Sequence, residues 1–473
     1  MISKETNINR IFFLMAIWTA CVCSCTKKNL SQTTPPADVA EFTVNQDKIV
    51  STDFVGFGTE YNQNVYSAFS ATDGINASNI GQLEAKVKAL KSQYVRIFFD
   101  SKAWPTDSKY SPATADFMAS FVNTVKLAQD AGATTINITF WHTATVAQMP
   151  AFADVLNDLI VNRGLTSVKQ VTIQNEVNST SMTMADYKAC YVSLDQALKT
   201  LAIRNLVKFV GGDLVQTDQQ NWFTYMAANM NDLLYGYSTH IYWDDNDAAK
   251  PATRLTEVTN IVKGLGAAAK PLYVTEYGVR GGNKTGAPDP GNLTGTNEPI
   301  SQTNTSALQN ALFQVNGLNL GYGGFIRWDC YKAKYDGGTQ YFSCIGSGTD
   351  GYPLYPLYYI TCLFTNTCQP GWNVVETKQG TNINKAVAVM REKTGQNMTL
   401  YAVNKSNGMF PYVVAGLPAK KNFHVIVWNN DQKGKIEKIA DVSTDESGML
   451  KLNLPAQAVA AVTTLNVDIS KIL

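Results

Sequence analysis

An excess of charge of either sign is absent from this sequence. Its 473 residues include 39 lysines and arginines against 38 aspartates and glutamates, and charged residues make up 16% of the chain. Proteins that bind nucleic acid or an anionic membrane surface electrostatically carry a marked basic excess. We therefore expect no nucleic-acid partner, and a neutral ligand fits the charge balance better.

Cysteine and histidine patterns typical of metal sites are also missing. Of eight cysteines, three lie in the first 25 residues, and the other five show neither Cys-x-x-Cys nor Cys/His ligand spacing. Because five is odd, at least one thiol has no partner within the chain even in an oxidising compartment. We expect no metal and no cofactor, and the spacing specifies no disulfide pairing.

The N-terminus has the pattern of a targeting segment. Two basic residues precede an apolar run over residues 11–20, which is shorter than the ~20 residues needed to span a bilayer, and Cys25 follows a small residue. Residues 1–25 resemble a bacterial lipoprotein signal, and the resemblance implies lipidation of Cys25, which we prefer to Cys21. Residues 26–40 are polar and read as a tether. We expect a protein held at the bacterial cell envelope by a lipid anchor alone.

Between residues 50 and 370, period-two runs alternate with amphipathic helical runs. The clearest strand covers 168–173, where apolar and polar residues alternate before the polar pair Asn175 and Glu176. A second strand, over 271–275, ends in Glu276. Eight such strand–helix units predict an α/β fold, a (β/α)8 TIM barrel.

The pattern changes from residue 371 to residue 473. Short alternating runs separated by Asn-, Gly- and Asp-rich turns, with no helical period, predict an antiparallel β-sandwich domain. The strand over 41–49 precedes the barrel and is predicted to join this sandwich. Its only prominent tryptophans are Trp372 and Trp428, so we expect the domain to buttress the barrel.

The ends of the predicted barrel strands carry an unusual set of side chains. In a barrel these ends face one bowl, where the chemistry is found. A single Trp or His there is more often packing, but two of the three histidines and both candidate carboxylates fall at such ends. The candidate site residues are Arg96, Trp141, His142, Asn175, Glu176, His240, Tyr242, Glu276 and Trp328.

In strand order this set resembles the active site of the retaining glycoside hydrolases of clan A, and most closely that of family five. The resemblance covers residues 55–365 and implies that Glu176 is the acid/base and Glu276 the nucleophile. Glu276 would be ionised and Glu176 would hold a proton until it donates it. The predicted sandwich is more similar to those of families thirty, thirty-nine and fifty-one, so the family within the clan stays open.

The same resemblance implies roles in binding for the other residues. Asn175 would donate to the sugar 2-hydroxyl, while Arg96 and Tyr242 would hold the nucleophile. The catalytic subsite would be lined by His142, His240 and the platform Trp328, and Trp141 would add an aromatic surface for a pyranose ring.

We expect a monomeric enzyme that cleaves β-glycosidic bonds of a neutral polysaccharide or oligosaccharide, as endo-β-glucanases do. An exo-acting β-glycosidase or an arabinofuranosidase of the same clan is an alternative, and a non-catalytic carbohydrate-binding lipoprotein is a further one. Another enzyme class on the same barrel is disfavoured, because the sequence has no phosphate loop, no metal-ligand cluster and no lysine at a strand end.

Overall fold

The structure is a computed structural model. It describes residues 40–101, 112–247, 249–280, 300–335, 342–430 and 435–472. The predicted lipidation site Cys25 lies outside these residues, as do the signal segment and all but the last residue of the tether. No helix within the described ranges is long and apolar enough to cross a membrane. The five cysteines from Cys190 onward are all buried and unpaired.

Eight parallel strands form the barrel, in the order β2-β9-β8-β7-β6-β5-β4-β3. The first strand of the chain, β1 (Phe42–Ser51), belongs to the second sheet, and the barrel strands are β2 (Phe57–Thr59), β3 (Tyr94–Asp100), β4 (Thr135–Trp141), β5 (Val168–Ile173), β6 (Lys208–Leu214), β7 (Gly236–Asp244), β8 (Leu272–Arg280) and β9 (Phe325–Arg327). A parallel bridge between Glu60 and Arg96 joins the two outer strands of this order. The Tyr61 amide donates to the Arg96 carbonyl at 2.9 Å, and the predicted barrel is confirmed.

Strand β3 shows how alternation along a barrel strand positions the site. Its odd-numbered residues Val95, Ile97 and Phe99 pack into the core shared with the helices, while Tyr94 and Phe98 belong to separate interior clusters. Successive side chains of a strand point to opposite faces, so Arg96 also points into the barrel, one layer above Tyr94. Tertiary packing therefore places a charged side chain at the barrel axis.

Helices on the outside connect the strands. In the described residues they are α1 (Ile80–Leu90), α2 (Pro112–Asp130), α3 (Met149–Asn157), α4 (Met184–Thr200), α5 (Gln219–Asn229), α6 (Lys250–Gly264), α7 (Asn304–Leu320) and α8 (Pro356–Thr367). The helical segment around α3 has three parts, because a 3-10 turn precedes α3 and a π-helical turn follows it.

The second sheet has ten strands, and β1 is one of them. The others are β10 (Asn373–Lys378), β11 (Lys385–Arg391), β12 (Met398–Asn404), β13 (Phe410–Ala415), β14 (Asn422–Asn429), β15 (Ile436–Lys438), β16 (Val442–Ser443), β17 (Leu450–Leu454) and β18 (Ala458–Thr463). β1 lies between β10, to which it is antiparallel, and β13, to which it is parallel. Tyr412 of β13 and Val425 of β14 share one core although their strands lie far apart in the sheet order, so the sheet folds over itself.

The other face of this sheet packs on the barrel helices. Trp428 and Tyr401 belong to the barrel's core cluster, and Tyr401 shares a 2.9 Å hydrogen bond with Thr367 at the end of α8. Asn319 of α7 donates to the Val387 carbonyl at 2.9 Å. Contacts therefore cover both faces of the central strands, and residues 40–473 form one compact unit.

Candidate active site

Two glutamates meet across the bowl of the barrel. Glu176 follows β5, and Glu276 lies in β8. One carboxylate oxygen of each glutamate and one ring nitrogen of His240 all lie within 4.8 Å of one another. Glu276 is nearly buried, with 7% of its surface exposed, whereas the Glu176 side chain is 30% exposed. One carboxylate is thus sequestered and the other is open to an incoming group.

Arg96 is the central cation of the site and is fully buried. Nη1 donates to Glu276 Oε2 at 2.6 Å, and Nη2 donates to both Asn175 Oδ1 and Asp213 Oδ2 at 2.6 Å. Nε donates to Thr139 Oγ1 at 2.9 Å. Because its amide oxygen is engaged by Arg96, Asn175 keeps its NH2 group as the donor, as its predicted role requires.

Glu276 accepts hydrogen bonds on both carboxylate oxygens. Arg96 donates to Oε2, and the Tyr242 hydroxyl donates to Oε1 at 2.6 Å. Together the two donors fix the orientation of the carboxylate. The structure therefore brings Arg96 and Tyr242 to the positions that the resemblance implied for partners of a nucleophile.

Asp213, at the end of β6, is a functional candidate that the sequence signalled only weakly. Its Oδ1 accepts hydrogen bonds from Ser238 and Thr275, and its Oδ2 accepts from Arg96. Burial raises the pKa of Asp213, but the charges of Arg96 and His240 bring it well below its ordinary value. The available signal was its place at a strand end after two glycines.

His240 links Glu176 to the rest of the cluster. Its Nδ1 lies 3.1 Å from Glu176 Oε1. Burial alone would raise the pKa of Glu176, but its hydrogen bond to His240 and the charge of that ring bring it below its ordinary value. Burial lowers the pKa of His240, but the charges of Glu276 and Asp213 raise it to about 9. The expectation that Glu176 holds a proton until it donates it stays a prediction, and the His240 ring is a second group close enough to hold that proton.

Several residues at the strand ends adopt left-handed backbone conformations. These are His142 (φ 66°), Gln174 (φ 67°), Glu176 (φ 48°) and Asp213 (φ 53°). Such conformations cost about 1–3 kcal/mol each for non-glycine residues and cluster at functional sites. Gly212 has φ 131°, and a Cβ there would lie 2.3 Å from the Ser238 carbonyl oxygen, so only glycine fits before Asp213.

The two tryptophans of the candidate site, Trp141 and Trp328, pack in one cluster of aromatic side chains. Trp141 stacks on Phe98 and on His142, with ring centroids 5.0 Å and 4.2 Å away, and it lines the pocket beside Glu176. Trp328 is stacked on one face against Tyr335 at 5.1 Å and is 8% exposed. Trp141 and Trp328 both stay predicted sugar contacts, and of the two it is Trp141 that lines the pocket.

His142 contacts a carboxylate from the neighbouring strand β3. Its Nε2 is 3.2 Å from Asp100 Oδ1 at the end of β3. His142 and Glu176 both line an open pocket of about 580 Å³. The pocket is also lined by polar side chains that the sequence did not single out, namely Ser101, Thr143, Gln148, Gln174, Ser179 and Thr180.

A second pair of carboxyl groups is buried beside the bowl. Glu60 accepts a 2.5 Å hydrogen bond from the Tyr335 hydroxyl, and burial and the charge of Asp329 raise the pKa of Glu60 well above its ordinary value. Burial raises the pKa of Asp329 to about 7, and neither of its carboxyl oxygens has a hydrogen-bond partner among the described residues.

Glu176, His240 and Glu276 also have the donor types of a metal site. A divalent cation there would sit beside the buried Arg96 guanidinium and would compete with it for Glu276 Oε2. Both Glu276 oxygens are already engaged by protein donors. We therefore do not assign these residues as metal ligands.

No protein-family model and no curated protein sequence matches the chain. Solved structures are similar to it in fold. The catalytic domain of GH30 xylanase C from Talaromyces cellulolyticus has a TM-score of 0.63 at 13% identity, covering 90% of this chain and 100% of that one. An alpha-L-arabinofuranosidase from Thermotoga maritima, in its arabinose complex, has a TM-score of 0.64 at 14% identity, with 90% and 100% covered. A conserved exported protein from Bacteroides fragilis has a TM-score of 0.64 at 15% identity, with 89% and 100% covered. The chain shares the fold of these proteins.

Proposed function

We propose that this protein is a retaining glycoside hydrolase in which Glu276 is the nucleophile and Glu176 the acid/base. The observation that carries the proposal is the approach of the two carboxylates to within 4.8 Å. Retaining enzymes hold their carboxyl groups about 5–5.5 Å apart, whereas inverting enzymes need about 6.5–9.5 Å to admit a water molecule. This spacing supports direct attack by Glu276 on the anomeric carbon.

The surroundings of Glu276 suit a nucleophile. Arg96 and Tyr242 donate to different oxygens of the carboxylate and fix its orientation. In the first step one Glu276 oxygen would bond to the anomeric carbon while the bond to the departing oxygen breaks. Asn175, held by Arg96, would donate to the neighbouring sugar hydroxyl.

The surroundings of Glu176 suit an acid/base. It borders the 580 Å³ pocket, where a departing group would have to lie in order to take a proton from it. In the second step Glu176 would accept a proton from the water that attacks the glycosyl-enzyme. The polar lining of the pocket favours a sugar as the departing group.

The finer proposal is cleavage of β-linked bonds in a neutral polysaccharide. The nearly equal numbers of acidic and basic residues and the Trp328 platform support a neutral sugar ring. The xylanases among the similar structures make a xylan backbone a first choice, beside the β-glucans that the active-site resemblance suggested. The arabinofuranosidases among them support a second candidate, release of single arabinofuranose units.

A product profile distinguishes these candidates. The protein would be incubated with xylan, arabinoxylan, mannan, β-1,3-, β-1,4- and β-1,6-glucans, and aryl xylosides and arabinofuranosides. Oligomers released early would support endo action, and monosaccharide alone would support exo action. The first-formed anomer, followed by NMR, should have retained configuration, and inversion would refute the mechanism. Activity should also survive a chelator, since the proposal uses no metal.

We also propose that the mature chain is attached to the bacterial envelope through a lipid on Cys25 and acts there as a monomer. Radiolabelled palmitate should enter the wild-type chain and not the Cys25→Ala variant. A variant that still fractionates with membranes and takes up the label would refute this attachment.

A further inference from the structure

His240 lies among three carboxylates at a position that solvent does not reach. Its Nδ1 is 3.1 Å from Glu176 Oε1 and 3.7 Å from Glu276 Oε2, and its Nε2 is 3.6 Å from Asp213 Oδ1. An imidazolium carries a proton on each ring nitrogen, so both nitrogens would face negative oxygens. A neutral imidazole would turn an unprotonated nitrogen toward one of these carboxylates unless Glu176 carried the proton and donated it to Nδ1, so the two side chains share one proton.

We propose that His240 stores the proton that the reaction uses. In the resting site a Glu176 carboxylate faces a His240 imidazolium, and the proton reaches the departing oxygen from His240 through Glu176. This inference rests on the proposed glycosidase function and deepens it. His240 is then a positioning residue for the proton, because it acts on the substrate only through Glu176.

The charges balance through both steps. Before the reaction His240 is positive, and Glu176 and Glu276 are negative. When Glu276 bonds to the sugar it loses its charge, and the proton that leaves His240 Nδ1 by way of Glu176 turns the departing oxygen into a hydroxyl. In the second step water gives its oxygen to the anomeric carbon and its proton, through Glu176, to His240, and Glu276 leaves as a carboxylate.

The state of Glu276 controls where this proton is most stable. While ionised, Glu276 is one of three negative groups that attract a proton to His240, and the raised pKa of His240, about 9, agrees with that. Once Glu276 is an ester, one of these charges is gone and the proton leaves more easily. Proton release is thereby coupled to the formation of the covalent bond. Other charged or titratable groups near this pair are Arg96, Tyr242 and Arg280.

Nitrogen-15 NMR of the imidazole rings tests the proposal without substrate. The chain has three histidines, so His142→Asn and His424→Asn variants assign the signals. We expect both nitrogens of His240 to be protonated at pH 7 and to titrate near pH 9. In Glu276→Gln, which removes the charge but little volume, the midpoint should fall by about one to three pH units. His424, 3.0 Å from the exposed Asp441, is the internal control and should not move.

A neutral His240 at pH 7 in the wild type would overturn the proposal, as would an unchanged midpoint in a folded Glu276→Gln variant. Glu176→Gln provides a second test, because loss of the carboxylate 3.1 Å from Nδ1 should also lower the midpoint. If the titrations behave as expected but no glycoside is hydrolysed, the proposed glycosidase function is refuted, whereas the protonation of His240 is confirmed.

Kinetics separate this role from simple packing. His240→Asn should lower the rate of the first step for a substrate with a sugar leaving group. This loss should be at least about tenfold larger than the loss for a dinitrophenyl glycoside, whose leaving group departs without a proton. It should also move the basic limb of the pH–rate profile for the sugar substrate. Equal losses on both substrates, with an unmoved profile, would reduce His240 to a structural residue and overturn the proposal.

Discussion

Arg96 Nη2 lies 2.6 Å from Asp213 Oδ2, and neither side chain has any exposed surface. This ion pair lies beneath Glu276, which takes the other end of the same guanidinium. Two negative groups therefore share one cation. The position of the proposed nucleophile depends on a carboxylate that is not expected to touch substrate.

Asp213→Asn should destabilise the protein by about 3–5 kcal/mol, because it removes one of the negative charges that balance the buried Arg96 guanidinium. Urea denaturation at pH 7 measures this, and Asp130→Asn, which removes an exposed partner of Lys126, is a control expected to cost less than about 1 kcal/mol. The folded pKa of Asp213 lies below the unfolded value, so this stabilisation is present above about pH 4 and is lost as pH falls. Equal losses in the two variants would contradict the prediction.

Glu276→Gln should reduce turnover by roughly a thousandfold or more while leaving the fold and sugar binding intact, because the amide cannot form the glycosyl ester. Steady-state kinetics and calorimetric binding measure the two effects. Glu257→Gln on the outer helix α6 is the matched control. Near-normal hydrolysis by a pure, folded Glu276→Gln sample would remove Glu276 from the mechanism.

Glu176→Ala should show a rapid burst and a slow steady state on an aryl glycoside with a good leaving group. The first step then needs little protonation, whereas the second still needs a base. Added azide should restore turnover and yield a glycosyl azide of retained configuration. A product of inverted configuration would show that Glu276 forms no covalent intermediate and that the two carboxyl groups are too far apart for direct attack.

Asp329→Asn should make stability less sensitive to pH. The pKa of Asp329 is about 7 in the folded protein and about 3.9 when unfolded, so its stabilising effect is present below about pH 4 and is lost as pH rises through 7. The wild type should therefore lose on the order of a few kcal/mol from this residue between pH 4 and 8. Urea denaturation across that range should give a flatter curve for the variant, and identical slopes would refute the assignment.

Removal of β1 should damage the second sheet. A chain that begins at residue 52 exposes the edges of β10 and β13, between which β1 lies, and uncovers the apolar contacts of Phe42 and Val44. We expect aggregation on expression, measured by size-exclusion chromatography. A chain that begins at residue 40 is the control, and a soluble, fully active chain from residue 52 would show that β1 is dispensable.

The sequence predicted the barrel well because its strands have local signals. β5 alternates and then stops at Asn175 and Glu176, and such a boundary depends on neighbouring residues alone. The family resemblance implied that Arg96 and Tyr242 hold Glu276, and in the structure both side chains donate hydrogen bonds to its carboxylate.

Other features were hidden because they depend on long-range packing. Nothing local distinguishes Asp213 from a loop aspartate, since its partner Arg96 comes from a distant strand. The stacking of Trp141 on Phe98 was equally hidden, because Phe98 comes from the neighbouring strand. The proton balance between Glu176 and His240 depends on distances of a few ångströms, which spacing along the chain does not encode.

The backbone of Arg96 is part of the seam that completes the barrel, where its carbonyl accepts from Tyr61 and it pairs with Glu60. Its side chain holds Glu276. During refolding, the step that joins the first and last strands of this order is therefore also the step that orients Glu276, the proposed nucleophile. After dilution from denaturant, activity should return only once this seam has formed, and therefore later than the helical circular dichroism signal. The return of activity then measures completion of the barrel.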